Sequence, residues 1–354
     1  MKINRVVLCI ASLGIALVAS TAFAQGRRYP APDTRGIGQN THHLSATVPQ
    51  AADPEQAKYT FVELDPLGQG AGYCYIDAHA INDAGQVVVV WSDPVDCNVW
   101  HASLWHNGKW VPLDFADRDC SEPGQTYLSS LNNWDVAFGL YWIPCSDYQP
   151  AAGIFVKTGK WFVLPDIKGF PYNQGFSMND FGLAVGVAGA LDSESNTWSF
   201  KHWIWDGRKY WFPTFPSNWD VNDWWAGPLF INDFGRIVGQ YWDNAAGGRR
   251  RAYVQDGAKL TVFDAPSNPV RTGVNGVNNF GDVLVIGRYL NGETSYPASF
   301  IWRNGVFTQL PNVPFKDAVE TYVYGLNDRG DISGIWVDSS DVTLTYAFVA
   351  FRRE

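Results

Sequence analysis

One segment of ten residues holds the side chains best suited to chemistry, with three tryptophans and two aspartates. Trp219, Trp224 and Trp225 carry flat apolar rings with a polar N–H, the type of side chain that stacks on sugar rings. Asp220 and Asp223 carry carboxylates, which accept hydrogen bonds from hydroxyl groups. The segment therefore predicts a carbohydrate-binding loop. The alternative interpretation is that the three indole rings pack the loop against neighbouring structure.

Signatures of catalysis are few. His79, His101, His106 and His202 are scattered without an H-E-x-x-H arrangement, and no P-loop, dinucleotide fingerprint or G-x-S-x-G elbow is present. His202 is expected to be a core histidine. Loop carboxylates could cleave a glycosidic bond at a suitable separation, but loop sequences do not fix that separation. No catalytic residue, cofactor or metal site is predicted.

A short phrase that recurs along the chain determines the architecture. It consists of an apolar residue, Asn, then Asp or Asn, usually followed by x-Gly, and its copies are 46 to 53 residues apart. Repeats of this length are typical of propeller blades or solenoid coils. The six copies occupy residues 81–85, 131–135, 178–182, 231–235, 277–281 and 326–330. In the second copy Asp135 replaces the glycine.

Each repeat carries four strand signals, here called a to d, joined by two tight turns. In the first repeat the predicted strands are 78–81, 87–91, 102–105 and 109–113. The Asn-Asp-x-Gly turn joins a to b, and an Asn-Gly or Asp-Gly turn joins c to d, a strong hairpin signal. Strand c usually begins with a small residue, which predicts close packing between sheets.

The order of the strands predicts how the chain closes. The last repeat ends after strand c, and an extra strand signal at 59–65 precedes the first repeat. Pairing of the two termini would remove exposed sheet edges. We therefore predict an all-β, six-bladed β-propeller of about 49-residue repeats, with a domain at 58–354. A parallel β-helix is the weaker alternative, because its coils lack two antiparallel hairpins each.

These motifs resemble the HAF-repeat proteins, an extracellular bacterial family named for a His-Ala-Phe strand. The residues that carry the resemblance are the strand at 101–105, its following Asn-Gly, and the six Asn-Asp-x-Gly phrases, across 59–354. Only the first repeat keeps the histidine. The resemblance implies export and a repeat fold, and it implies no defined activity.

The first residues predict the compartment. Lys2 and Arg5 precede an apolar run at 6–18 and an A-x-A site at 22–24, which together indicate a secretory signal peptide at 1–24. A lipoprotein signal at Cys9 is the competing interpretation, although Cys9 comes too early. Residues 25–57 are rich in Pro, Gly, Gln, Thr and Ala and predict a flexible spacer. The protein should be secreted or periplasmic, without membrane insertion after cleavage.

Four cysteines follow the leader, and the repeat suggests how they pair. Cys74 and Cys97 flank the first two strands of the first repeat, and Cys120 and Cys145 hold the matching places in the second. We predict the disulfides 74–97 and 120–145, each worth about 3 kcal/mol in the chain-entropy model. A metal site is the rival interpretation, but the close C-x-x-C pairs typical of thiolate ligands are absent.

Charge and loop length complete the functional prediction. The formal net charge is −9, which makes nucleic acid an unsuitable partner. The d–a and b–c loops are long, so function is expected on their face, where Trp198, Arg250 and Arg271 would join the tryptophan segment. We predict a monomeric, non-catalytic binding propeller for a glycan. A polysaccharide lyase or glycoside hydrolase on the same face is the alternative. The second alternative is a structural or protein-binding propeller, which is favoured if the aromatic segment is buried.

Overall fold

A computed structural model shows the fold of the repeat region. It describes residues 58–68, 73, 75–92, 97, 99–114, 125–142, 150–156, 160–292, 294–342 and 344–353. The predicted signal peptide and the segment 25–57 lie outside these residues. Across the described ranges, no helix combines the length and the apolar character needed to span a membrane.

The described residues form 25 strands and a short 3-10 helix, Asn244–Ala246. In chain order the strands are β1 (Tyr59–Leu64), β2 (Ile76–Ile81), β3 (Val87–Ser92), β4 (Trp100–His106), β5 (Lys109–Pro112), β6 (Gln125–Leu131), β7 (Ala137–Trp142), β8 (Pro150–Val156), β9 (Lys160–Val163), β10 (Tyr172–Met178), β11 (Ala184–Asp192), β12 (Thr197–Trp205), β13 (Tyr210–Trp211), β14 (Trp219–Asp220), β15 (Gly227–Ile231), β16 (Ile237–Asp243), β17 (Arg249–Asp256), β18 (Lys259–Phe263), β19 (Arg271–Val277), β20 (Val283–Asn291), β21 (Thr294–Arg303), β22 (Val306–Gln309), β23 (Ala318–Leu326), β24 (Ile332–Asp338) and β25 (Thr345–Arg352).

Hydrogen bonds group the described strands into six antiparallel sheets. Five are local in sequence: β2–β5, β6–β9, β10–β13, β15–β18 with β14 added beside β16, and β19–β22. The sixth joins β23, β24 and β25 to the N-terminal β1, which pairs with β25 from Tyr59 opposite Arg352 to Leu64 opposite Ala347. The termini therefore pair as the order of the strand signals predicts.

The inner strands show how the sheets are arranged around an axis. Strand β2 contacts β6, β6 contacts β10, and the contacts continue through β15, β19 and β23 back to β2. Each sheet thus presents the strand that precedes its repeat asparagine to a common centre, and in the sixth sheet β1 is the outer strand. The fold is all-β with a β-propeller arrangement.

Six asparagines bind neighbouring sheets together around this axis. The side-chain Nδ2 of each repeat asparagine donates to the backbone oxygen of the equivalent asparagine in the next sheet, at 2.9 to 3.3 Å. The last bond runs from Asn327 back to Asn82 and closes the circle. We call this set the amide ring; its members are Asn82, Asn132, Asn179, Asn232, Asn278 and Asn327. All six are buried.

The same asparagines shape the turns that carry them. The Oδ1 of Asn179 accepts hydrogen bonds from the backbone N–H groups of Phe181 and Leu183, both at 3.0 Å. The fourth residue of the turn has a positive φ, which glycine tolerates without strain. Asp135 takes this place in the second repeat at φ 59°, so the missing glycine does not change the turn.

Packing between sheets explains the small residue at the start of strand c. Ala102, Ala252 and Ala347 are fully buried. His202 occupies the equivalent place in the third repeat, where it is also buried and its Nε2 lies 2.7 Å from the backbone oxygen of Val221. Burial lowers the pKa of His202 to about 4, so the ring is neutral at physiological pH. The prediction of a core histidine is confirmed.

The cysteine prediction is tested only in part by the described residues. Cys97 is disulfide-bonded. Its predicted partner Cys74 lies outside the described ranges, as do Cys120 and Cys145. The pairings 74–97 and 120–145 therefore stay predictions.

The amide ring makes a measurable prediction about stability. Replacement Asn179→Ala removes the bond to the next sheet and two turn bonds, and the part-buried backbone N–H groups of Phe181 and Leu183 lose their acceptor. We expect the free energy of unfolding to fall by about 2–4 kcal/mol in urea titrations. Asn179→Asp keeps the turn acceptor but places a buried carboxylate oxygen against the carbonyl oxygen of Asn232, so it should cost at least as much at neutral pH. Equal stability of wild type and Asn179→Ala would contradict a stabilising role for the ring.

Candidate functional site

The x residue of the Asn-Asp-x-Gly turn is an exposed aromatic in four consecutive repeats. Trp134, Phe181, Phe234 and Phe280 are 70 to 81% exposed. The other two repeats carry Ala84 and Arg329 at this place. We call the four rings the aromatic arc. They lie around the central axis on the face that carries the tight a–b and c–d turns, here called the short-turn face, because they come two residues after the asparagines of the amide ring.

Nothing in the described structure covers the aromatic arc. None of its four rings stacks on another ring of the described residues, in contrast to the many stacked aromatics elsewhere in the fold. The turn bonds from Asn132, Asn179 and Asn232 fix the backbone N–H groups of Trp134, Phe181 and Phe234 at 2.9 to 3.1 Å. The arc is therefore a set of separate platforms on rigid turns.

A second ring of side chains lies next to the aromatic arc. It is formed by the residue between the asparagine and the aromatic in each repeat. The backbone N–H of each member donates to the side-chain Oδ1 of the next member, at 2.6 to 2.9 Å, around the full circle. We call this set the carboxylate ring; its members are Asp83, Asn133, Asp180, Asp233, Asn279 and Asp328.

Two asparagines on opposite sides of the carboxylate ring bridge its charges. Nδ2 of Asn133 donates to Asp83 at 2.9 Å and to Asp180 at 3.1 Å. Nδ2 of Asn279 donates to Asp233 at 2.7 Å and to Asp328 at 3.0 Å. The ring thus contains two bridging amides and two pairs of adjacent carboxylates. The pairs are Asp180 with Asp233 and Asp328 with Asp83.

The paired carboxylates repel one another. Burial and the neighbouring Asp180 raise the pKa of Asp233, while hydrogen bonds including that from Asn279 lower it. Burial and the charge of the neighbouring Asp83 raise the pKa of Asp328, while hydrogen bonds from Asn279 lower it. Among the described residues, no arginine or lysine forms an ion pair with any of the four carboxylates. The ring therefore concentrates negative charge at the axis.

A cavity of about 110 Å³ runs inward from the carboxylate ring. Each inner strand carries a β-bulge three residues before its repeat asparagine. A bulge leaves one residue unpaired and re-aims its side chain. Four of the six bulged residues line the cavity: His79, Ser129, Asn275 and Tyr324.

Buried titratable groups cluster beside this cavity. Nε2 of His79 lies 3.1 Å from the carboxylate of Asp77 and 2.5 Å from the hydroxyl of Tyr127. The ring of Tyr324 stacks on His79, with centroids 5.6 Å apart. Burial, and next the charge of Asp77, raise the pKa of Tyr75, Tyr127 and Tyr324 well above the ordinary value. The phenols are therefore neutral donors at physiological pH.

Two polar atoms in this cluster have no hydrogen-bond partner in the structure. They are the hydroxyl of Tyr324, whose residue is 8% exposed, and Oδ1 of the fully buried Asp77. His79 is better exposed, with 12% of its side chain accessible. No group of three or more His, Cys, Asp or Glu within the described ranges is arranged to hold a metal ion.

The tryptophan segment is not the exposed sugar platform that its sequence suggests. Trp224 and Trp225 are buried in the core. Trp224 packs edge-on against Trp198 at 5.4 Å, and Gly189 admits it, since a Cβ there would lie 2.6 Å from its ring. The prediction that Trp224 and Trp225 stack on a ligand is therefore wrong, and the packing interpretation holds for both rings.

The first part of the segment adds a strand to a sheet. Trp219 and Asp220 form β14, which pairs with the end of β16. Trp219 stacks on Tyr241 with centroids 3.7 Å apart, so one face of its indole is covered. Asp220 accepts a hydrogen bond from the backbone of Asn222 at 3.0 Å. Trp198 is half-buried and stacks on Phe200.

The predicted charged residues of the long-loop face also have partners within the fold. Asp223 accepts from Nε1 of Trp242 at 2.9 Å and lies 3.8 Å from the guanidinium of Arg250. Arg250 in turn lies over the Trp242 ring at 4.5 Å. Arg271 is half-buried at the start of β19. The structure brings Asp223 and Arg250 together, but Arg271 belongs to the next sheet.

Comparisons with known proteins show likeness in overall shape alone. No protein-family model matches the chain, and no curated protein matches it. Three solved structures illustrate the likeness. The β-propeller domain of the Trilobed protease from Pyrococcus furiosus is 10% identical, with 76% of this chain and 93% of that chain covered and a TM-score of 0.44.

The names of the other two refer to carbohydrates. Aleuria aurantia lectin in complex with Fucα1-6GlcNAc is 13% identical and has a TM-score of 0.40. The match covers 75% of this chain and 88% of the lectin chain. Polysaccharide lyase Uly1 is 10% identical, with 78% and 77% coverage and a TM-score of 0.42. At such low similarity, these structures carry no argument about function.

The bridges of the carboxylate ring lead to a second prediction. Asn279→Asp removes two amide donors and adds a carboxylate between Asp233 and Asp328. We expect the free energy of unfolding at pH 7 to fall by about 1–2 kcal/mol. Loss of the Asn279 bonds raises the carboxyl pKa values of Asp233 and Asp328 further. These groups therefore take up protons as the pH falls, and protonation removes the repulsion between their charges.

The difference from wild type should therefore be fully present at neutral pH and shrink as the pH falls through the raised carboxyl pKa values. Thermal unfolding between pH 4 and pH 8 measures it. The control is Asn304→Asp in an outer c–d turn, which should change little at any pH. A loss of stability independent of pH would contradict the electrostatic explanation.

Proposed function

We propose that the protein is an exported, non-catalytic binding propeller of six blades that holds a glycan on its short-turn face. The observation that carries the proposal is the aromatic arc, with four exposed rings at one place in four consecutive repeats. The sequence analysis favours the long-loop face, but the burial of Trp224 and Trp225 leaves the short-turn face as the better platform.

The form of the arc favours a polymer of sugars over a folded protein partner. A protein interface is usually centred on a contiguous apolar core. The four rings of the arc are instead separate from one another and surround polar amide and carboxylate oxygens. Sugars present apolar C–H faces and hydroxyl groups in alternation, so this pattern of rings and acceptors suits successive sugar units.

The signal peptide, the HAF-repeat resemblance and the monomeric state remain parts of this proposal. An exported protein would meet envelope or environmental polysaccharides directly. Trp198, Trp219, Arg250 and Arg271 remain proposed contacts on the long-loop face. Trp219 has one ring face already covered by Tyr241, so we rank this surface second.

Affinity electrophoresis of the full chain, purified after export, tests the proposal in gels that contain neutral or acidic polysaccharides. We expect one polymer to retard the protein. The double variant Phe181→Ala/Phe234→Ala should weaken that retardation at least about tenfold, the equivalent of about 1.4 kcal/mol. The matched control is Phe162→Ala, which removes an exposed phenylalanine from the outer strand β9.

Two results would count against the proposal. The first is free migration through every gel. The second is equal retardation of the double variant and the Phe162→Ala control, which would remove the arc from the binding surface. Loss of retardation in Arg250→Ala instead would move the site to the long-loop face.

A polysaccharide lyase or glycoside hydrolase is the second candidate function. The contacts of His79 with the Asp77 carboxylate and the Tyr127 hydroxyl beside the cavity favour it, because a positioned histidine can act as a general base. Any polymer that retards the protein should be incubated with it and assayed for new chain ends. Cleavage that His79→Ala abolishes with unchanged retardation would establish an enzyme; no cleavage would leave the binding function.

A further inference from the structure

We infer that the central cavity receives a primary ammonium group, supplied by an unacetylated amino sugar of the glycan on the aromatic arc. This inference rests on the proposed function and specifies the class of glycan. It assigns a task to the carboxylate ring and to the unpartnered groups beside the cavity, which glycan stacking alone does not use.

Charge at the cavity mouth is the first support. The four carboxylates of the ring each accept one backbone and one amide hydrogen bond. An ionised carboxylate has about four acceptor sites, so each keeps capacity for a ligand. No cation of the described residues pairs with them, and two pairs of carboxylates are adjacent without an amide between them. A cation from a ligand would relieve that repulsion.

The unpartnered hydroxyl of Tyr324 is the second, independent support. Tyr324 is more than nine-tenths buried, lines the same cavity as the carboxylate ring, and has no hydrogen-bond partner. Oδ1 of Asp77, close behind His79, is also unpaired. Buried polar groups are rarely left without partners, so an unsatisfied hydroxyl on a residue that lines a polar cavity indicates a missing ligand group.

The size and polarity of the cavity favour an ammonium group over a whole sugar. The volume of about 110 Å³ is smaller than the roughly 150 Å³ of an engineered cavity that binds benzene, and a sugar ring with its hydroxyl groups is larger than benzene. An ammonium is compact and has three hydrogen-bond donors and no acceptor. It therefore matches a mouth of acceptor oxygens. An N-acetyl group removes the charge and adds bulk, so acetylation should oppose binding.

A matched pair of ligands tests the inference: the hexamer of glucosamine and the hexamer of N-acetylglucosamine. Titration calorimetry with the full chain should show the glucosamine hexamer binding at least about tenfold more tightly, with a preference that weakens in high salt. A hexalysine peptide, as a third probe, distinguishes an amino sugar from the same ammonium on a protein. We expect it to bind more weakly than the glucosamine hexamer.

The test variant is Asp180→Asn/Asp328→Asn. It removes one carboxylate from each adjacent pair and leaves each bridging asparagine one carboxylate acceptor. We expect the preference for the glucosamine hexamer to fall below about threefold. The control Asp256→Asn/Glu194→Gln removes the same charge from exposed sites outside the ring and should keep the preference. Thermal unfolding confirms that both variants fold.

The outcomes separate this inference from the proposed function. Equal affinity for the two hexamers overturns the inference, and so does hexalysine binding more tightly than the glucosamine hexamer. A preference that survives in the ring variant overturns it as well. Retardation by a polysaccharide without amino groups, together with no binding of either hexamer, overturns the inference and leaves the proposed function standing. Unchanged binding of both hexamers by Phe181→Ala/Phe234→Ala would instead overturn the proposed function.

Discussion

The structure depends on one repeated hydrogen bond, from an asparagine side chain to the backbone of the neighbouring sheet. A sheet in this fold is held to its neighbours mainly by apolar packing, which is not directional. The amide ring adds direction, because each asparagine accepts from its own turn and donates to the next. A side-chain amide does both with separate atoms, and the shorter of the two amide residues fits the turn. This requirement explains why asparagine occurs in all six repeats.

Once the amide ring fixes the turns, the positions that follow become free to vary. The carboxylate ring uses its side-chain oxygens to connect sheets, a task that Asp and Asn perform equally well. The x residue makes no such bond with its side chain, so its identity is not set by the fold. An exposed aromatic there loses the benefit of burial. Its occurrence in four of six repeats therefore points to a ligand rather than to folding.

Local chemistry explains which parts of the fold could be predicted from the sequence. Asn107-Gly108 and Asn304-Gly305 adopt positive φ at both residues, as their hairpin signals require. The burial of Trp224 was not predictable in this way, because it depends on the space above Gly189 in another sheet. The aromatic arc left a signal that the sequence analysis did not use. An aromatic residue at the x position of an Asn-Asp-x-Gly turn cannot reach the hydrophobic core, so its ring is expected to be exposed.

The cavity could not be predicted because it depends on bulges. Simple alternation along an inner strand assigns His79 and Tyr324 a side of the sheet, and a bulge of one residue changes that assignment. The bulge occurs in all six inner strands, but the polar groups do not follow the repeat. Asp77, His79, Tyr127, Tyr322 and Tyr324 come from three adjacent sheets, while Phe176 and Leu229 hold the bulges of two others. Folding alone would be served by six similar residues. Polar groups concentrated on one side of the axis instead suit a ligand whose two ends differ, which is a property of a binding site.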